Sequence, residues 1–145
     1  MDRQSSALFY ARFQGTMPAF AAAFERLRRA LDETGIAAAP RYNVELAFEE
    51  IVSNIVRHGS PTGEIRVTIA FNGEIVLTFE DDGVPFDPRE QVKRSAPTSL
   101  DEAAAGGFGL LLVGKITTGI RYKRTGQDLN QLTLTFPMRP AEPRL

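Results

Sequence analysis

The sequence predicts an α/β (α+β) two-layer sandwich, a mostly antiparallel mixed sheet covered on one face by helices. Three observations carry that prediction. Apolar residues recur twice at helical spacing in the N-terminal half. Strict two-residue alternation then marks two hairpins, and a long stretch rich in Gly, Pro, Ser, Ala and charge separates them. The resulting order, strand-helix-helix-strand-strand-loop-helix-strand-strand, suits one sheet with helices on one side.

The elements follow in order. Ala7 to Phe13 reads as a strand ending at Gly15. Thr16 is a suitable N-cap, Pro18 falls in a first turn where its missing N–H costs little, and Phe20, Phe24, Leu27 and Leu31 form a helical stripe. Glu25–Arg29 and Arg29–Glu33 are spaced for i,i+4 pairs, and Gly35 can close the helix. After a linker from Ile36 to Pro40, a second helix is expected over Arg41 to Arg57 with Val44, Phe48, Ile51, Val52 and Ile55 as its stripe. Ile65, Val67, Ile69 and Phe71 alternate with Arg66, Thr68 and Ala70, Asn72-Gly73 signals a type I′ turn, and Ile75, Leu77 and Phe79 return. Beyond the irregular stretch from Asp82 to Gly107, a short helix is expected from Gly109 to about Thr117. A second hairpin follows, with Ile120 and Tyr122 on one arm and Leu132, Leu134 and Phe136 on the other.

Composition narrows the function. With 145 residues, 43% hydrophobic and 24% charged, the chain is expected to form one domain over 1–137 with a flexible tail over 138–145. Seventeen Lys and Arg against eighteen Asp and Glu give a net charge of −1, which argues against direct nucleic-acid binding. The absence of cysteine excludes disulfides, thiolate metal sites and cysteine nucleophiles, and the single histidine, His58, excludes multi-histidine metal sites. No apolar run is long enough to span a bilayer and the N-terminus lacks a signal-peptide core, so a cytoplasmic setting without membrane contact is expected.

Three elements could carry chemistry. Glu50, Asn54 and His58 form an i, i+4, i+8 row beside the apolar stripe of the second helix, either a solvated helix edge or a wall of a cleft. The stretch Glu80-Asp81-Asp82-Gly83-Val84-Pro85-Phe86-Asp87-Pro88 places carboxylates at a strand end beside a glycine, which a turn would also use. Gly106-Gly107-Phe108-Gly109-Leu110 opens a helix, where free backbone N–H groups favour a phosphate, and it would serve equally as a hinge. Gly109 to Lys115 imitates a P-loop, but the residues between its glycines are bulky and apolar, Ile116 stands where a hydroxyl should hold magnesium, and no strand precedes it.

Taken together, the three elements resemble the ATP-binding domain shared by histidine kinases, type II topoisomerases, Hsp90 and MutL, and above all the stand-alone anti-sigma-factor serine/threonine kinases of partner-switching systems. Glu50 to His58 resembles the N box of that superfamily, and Asp81-Asp82-Gly83-Val84-Pro85-Phe86-Asp87-Pro88 its G1 box. Gly106 to Leu110 resembles its G2 box, and Asn130-Gln131-Leu132-Thr133-Leu134 its closing strand. The resemblance covers nearly the whole chain and implies the histidine-kinase-like (Bergerat) fold, with ATP or ADP and Mg²⁺ as cofactors.

That resemblance also implies roles. Asn54 would coordinate Mg²⁺, and Glu50 would be the catalytic base. Asp81 would accept the adenine amino hydrogen, Gly83 would let the base approach the backbone, Pro85 takes the second-glycine position of G1, and Thr133 would support the adenine end. Asp87 to Phe108 would form a lid, and Gly107, Phe108, Gly109 and Leu110 would bind the phosphates. The implied partners are an anti-anti-sigma-type antagonist protein and a sigma factor, with the chain a homodimer. Gly114 stands where relatives often carry a basic residue, and the lid cations Arg89, Lys93 and Arg94 all lie near its start. The alternative is therefore a nucleotide-gated module that sequesters a partner without catalysis.

Overall fold

The computed structural model describes residues 7–59, 61–90 and 108–138. Five strands form one sheet in the order β1-β2-β3-β5-β4. They are β1 (Ala7–Gln14), β2 (Glu64–Phe71), β3 (Glu74–Asp81), β4 (Gly119–Arg124) and β5 (Asn130–Pro137). Every pairing among the described residues is antiparallel, so no parallel pair enters the expected mixed sheet there. The helices are α1 (Met17–Thr34), α2 (Ala38–Asn54) and α3 (Phe108–Ile116), and a π-helical turn, Ile55–Gly59, continues α2.

Local chemistry explains most boundaries. Thr16 caps α1 by accepting the Ala19 N–H at 3.3 Å, and Gly35 ends it in the left-handed conformation. Helix α2 starts at Ala38, three residues before the expected Arg41. Pro40 falls within its first turn, whose N–H groups have no helical acceptor, so proline does not prevent the helix from beginning upstream. The ion pairs also differ from expectation. Arg28 pairs with Glu25 along α1 and with Glu45 across to α2, and Arg41 pairs with Glu45 along α2 and with Asp32 across to α1, so two of the four pairs stitch the helices together.

The first hairpin departs from the type I′ prediction. Phe71 faces Ile75, leaving three residues between them, and Gly73 takes φ 69° while Asn72 does not turn positive. A three-residue connection needs only one left-handed position, which glycine fills. In the second hairpin that position falls to Asp128, the one non-glycine residue with positive φ among the described residues.

Helix α2 lies between α1 and α3 over the sheet. Its Phe48, fully buried, meets Phe13, Phe20, Phe24 and Phe79 at centroid distances of 5.8–6.3 Å and so joins β1, α1 and β3 in one aromatic cluster. Alternate strand residues, among them Val67, Ile69, Leu77, Phe79, Leu134 and Phe136, complete the core. The opposite sheet face carries Arg12, Arg66, Thr78, Glu80, Arg121 and Thr133.

Candidate nucleotide site

A cleft opens between the C-terminal end of α2 and the ends of β3 and β5. Ile51, Asn54, Ile55 and Gly59 form one side, Phe79, Asp81, Asn130 and Leu132 the other, and Val84, Phe86, Pro88 and Tyr122 the rim. An apolar lining with few polar groups suits a flat heterocycle.

Asp81, the last residue of β3, is 3% exposed. Burial pushes its carboxyl above the ordinary aspartate value, with Asp82 adding to the rise, while hydrogen bonds from Asn130 and Gly83 and the charge of Arg124 oppose it. Asn130 faces Asp81 across the β3–β5 ladder, and its Nδ2 donates to Asp81 Oδ1 at 2.9 Å. Asn54 sits at the end of α2, and its Nδ2 is buried without a hydrogen-bond partner among the described residues. Such an orphan is uncommon and marks a place where a ligand or water completes the bonding.

Glu50, one turn before Asn54, packs against α3. A Cβ built on Gly109 would lie 1.9 Å from Glu50 Oε2, so the carboxylate fits only because residue 109 has no side chain. Burial raises the Glu50 carboxyl above its ordinary value, Glu49 adds to this and Arg57 opposes it. A carboxylate with a raised pKa is a stronger base. At the cleft mouth two glycines cross: the Gly59 carbonyl accepts the Val84 N–H at 2.9 Å, and a Cβ on Gly83 would stand 2.3 Å from that carbonyl oxygen. The Gly83 carbonyl in turn accepts Arg124 Nη1 at 2.8 Å.

The structure therefore brings Asn54 and Asp81 to one cleft, Gly83 to its mouth, and Glu50 to Gly109. Pro85 is exposed beside the rim, and Leu110 is buried in the core. Gly107, most of the expected lid with Lys93 and Arg94, the side chain of Phe108 and the tail from 139 lie outside the described residues. Thr133 does not join the site: it stands three positions from Asn130 on β5, opposite Thr78, so the two-residue alternation turns it to the other sheet face. His58 also leaves the row, because the π-helical turn after Asn54 breaks the α-helical phase and leaves it exposed. The P-loop imitation lies inside α3.

Motif reading gave no role to four residues at the site, Asn130, Tyr122, Arg124 and Gly59, although Asn130 opens the closing-strand motif. Asn130 was findable, since Leu132, Leu134 and Phe136 define the inward phase of β5 and residue 130 shares it. Asp82, beside Asp81, has a different task. It accepts from Thr62 N at 2.9 Å, Thr62 Oγ1 at 2.6 Å and Gly63 N at 3.0 Å, which ties the turn before β2 to the end of β3.

The donor set fits a magnesium ion held jointly with a ligand. Asn54 offers one side-chain oxygen, and no cluster of three or more His, Cys, Asp or Glu suited to a metal occurs among the described residues, so phosphates and water would have to supply the rest. Nor is any described helix long and apolar enough to cross a membrane.

Comparison with known proteins places this geometry. Residues 13–136 match the model of the histidine kinase-like ATPase domain. The chain is 32% identical over 104 residues to the serine/threonine-protein kinase BtrW of Bordetella bronchiseptica, covering 69% of this chain and 72% of that one. It is 34% identical over 58 residues to the sensor histidine kinase ComP of Bacillus subtilis, covering 40% of this chain but 8% of ComP. Two solved structures share the fold. The SiaB–SiaC complex from Pseudomonas aeruginosa matches with TM-score 0.67 at 16% identity, covering 92% of this chain and 91% of that one. The RsbU and RsbW domains of Rv1364c from Mycobacterium tuberculosis match with TM-score 0.60 at 23% identity, covering 92% of this chain and 33% of that one, so this chain spans about a third of its length. The chain belongs to the histidine kinase-like ATPase domain family.

Proposed function

We propose that the chain is an ATP-dependent serine/threonine protein kinase that regulates by partner switching, phosphorylating a small antagonist protein of the anti-anti-sigma type and exchanging it for a sigma factor. The observation that carries this reading is the pairing of two groups in one cleft: a buried carboxylate, Asp81, and an amide, Asn54, whose buried Nδ2 has no partner among the described residues. The first suits the amino edge of adenine, and the second, an N–H donor, suits a phosphate oxygen. The similarity to BtrW, named as a serine/threonine-protein kinase, supports the reaction class. The solved SiaB–SiaC complex supports a protein partner.

In this reading Asp81 orients adenine, and Gly83 and Gly59 leave room for it at the mouth. Asn54 would hold Mg²⁺ through Oδ1, where the ion would supply neutralisation of the phosphate charge. Glu50 takes the proton of the acceptor hydroxyl. That oxygen then bonds the γ-phosphorus as the bond to the β–γ bridging oxygen breaks, leaving ADP and a phosphorylated Ser or Thr. The first turn of α3 directs its N–H groups, Gly109 among them, toward the phosphates.

The test has two stages. Calorimetric titration with Mg-ATP should show binding in both the parent and Glu50→Gln. Single-turnover transfer of labelled γ-phosphate to a candidate antagonist should fall by about 10²–10⁴-fold in Glu50→Gln. Absence of nucleotide binding in the parent overturns the whole reading. Binding without transfer in the parent would make the chain a nucleotide-gated module that sequesters its partner. Full transfer by Glu50→Gln would remove Glu50 as the base.

A further inference from the structure

The wall of the cleft built by β3, β5 and β4 contains a hydrogen-bond chain whose polarity the backbone dictates. The Val84 carbonyl can only accept, and the Phe86 N–H can only donate. The Asn130 amide lies between them: its Nδ2 donates to Val84 O at 2.8 Å, and its Oδ1 accepts from Phe86 N at 3.3 Å. That leaves the amide one orientation. The Tyr122 hydroxyl donates to the same Oδ1 and reinforces it. The remaining N–H of Asn130 must then point at Asp81, reaching Oδ1 at 2.9 Å and Oδ2 at 3.4 Å.

A fixed donor has a consequence for its partner. A carboxyl group accepts hydrogen bonds at both oxygens when ionised, and when protonated it donates from one and accepts at the other. The fixed Asn130 N–H reaches both oxygens of Asp81 and so favours the ionised form, which accepts at each. Both groups are under 9% exposed, so water does not substitute for either contact.

We propose that Asn130, held by Tyr122 and the 84–86 backbone, sets the base selectivity of the cleft by keeping Asp81 an acceptor. Such a carboxylate selects a purine with an amino donor at position 6, as in adenine, and rejects one with a carbonyl there, as in guanine, because two acceptors then face each other. Asn130 and Tyr122 are positioning residues acting through Asp81, and the inference rests on the nucleotide reading above.

The experiment compares ATP, GTP and purine-riboside triphosphate, which lacks the 6-amino group, by calorimetric titration of the full chain with Mg²⁺. The parent should bind ATP about tenfold or more tightly than purine-riboside triphosphate, since the extra bond is to a charged group. In Asn130→Ala that preference should shrink by about tenfold, with the affinity for purine-riboside triphosphate little changed. Tyr122→Phe, which keeps the ring and loses the hydroxyl, should move the same ratio by a smaller factor and decides the matter if Asn130→Ala does not fold. A merely structural role would weaken all three ligands in parallel, leave the ratio at its parental value and overturn the proposal. Failure of the parent to bind any of the three would overturn the nucleotide reading itself, and this inference with it.

Discussion

Replacing Gly83 by alanine tests the backbone crossing at the mouth of the cleft. The new Cβ would stand 2.3 Å from the carbonyl oxygen of Gly59, 2.9 Å from its carbon and 3.3 Å from its Cα. All three are main-chain atoms, so no rotamer change relieves the clash, and the oxygen must retreat by about 1 Å to ordinary contact. That retreat removes the Val84 N–H to Gly59 carbonyl bond. Overpacking of this kind costs about 1–3 kcal/mol, and the lost bond about 1 kcal/mol more. Together they predict a loss of about 2–4 kcal/mol, a fall in melting temperature of roughly 6–16 °C. Gly109→Ala is the matched control. Its Cβ would lie 1.9 Å from Glu50 Oε2, and its three nearest atoms all belong to the Glu50 carboxyl, the far end of a flexible side chain that can swing aside. Gly109 is only the second residue of α3, so alanine there gains less than the roughly 1 kcal/mol of a helix interior. Differential scanning calorimetry of the three proteins should therefore show a lower melting temperature for Gly83→Ala alone, while Gly109→Ala slows phosphoryl transfer by displacing Glu50. A parental melting temperature in Gly83→Ala would refute the crossing argument, and equal destabilisation of both variants would refute the distinction between main-chain and side-chain obstacles.

Thr133→Ala should leave nucleotide affinity unchanged in a calorimetric titration, because residue 133 lies on the sheet face away from the cleft; a clear loss would put Thr133 in the site after all. The raised Glu50 carboxyl means that the folded state holds this proton to higher pH than the unfolded state, so ionisation opposes folding above that folded value. Glu50→Gln should then be more stable than the parent at neutral pH. The gap should close as pH falls through the raised folded value to the ordinary glutamate range, measured by urea denaturation across pH; a variant less stable at every pH would contradict the sign. Magnesium alone should show no binding heat with the nucleotide-free chain, while removing it with a chelator should weaken ATP binding; a tight metal site without nucleotide would contradict the single-oxygen role given to Asn54.

The sequence made the order of elements and the core faces legible because burial writes a period into each strand and helix, and the same periods placed Glu50, Asn54 and Asp81. What escaped had particular causes. The linker expected up to Pro40 hides the start of α2, although a first-turn proline lacks nothing the helix needs. The Glu50–Asn54–His58 row assumes one helical pitch, and the π-helical turn has no signal in residue type. The adenine role of Thr133 rests on the motif alone, whereas the alternation of Leu132, Leu134 and Phe136 assigns it to the other face. The crossing of Gly59 and Gly83, 24 positions apart in a chain of 145 residues, depends on how two elements approach in space, which no local pattern records.

The aromatic cluster around Phe48 has a consequence for how this protein can change. Phe48 and Glu50 are neighbours on α2 but look in opposite directions, one into four rings of the core and the other toward α3. Phe48 and the other buried residues of α2 hold the helix in place, whereas Glu50 and Asn54 are only half-buried and carry less of that packing. Substitutions at positions 50 and 54 can thus alter chemistry without unseating the helix, whereas softening residue 48 would loosen every functional group that the helix presents.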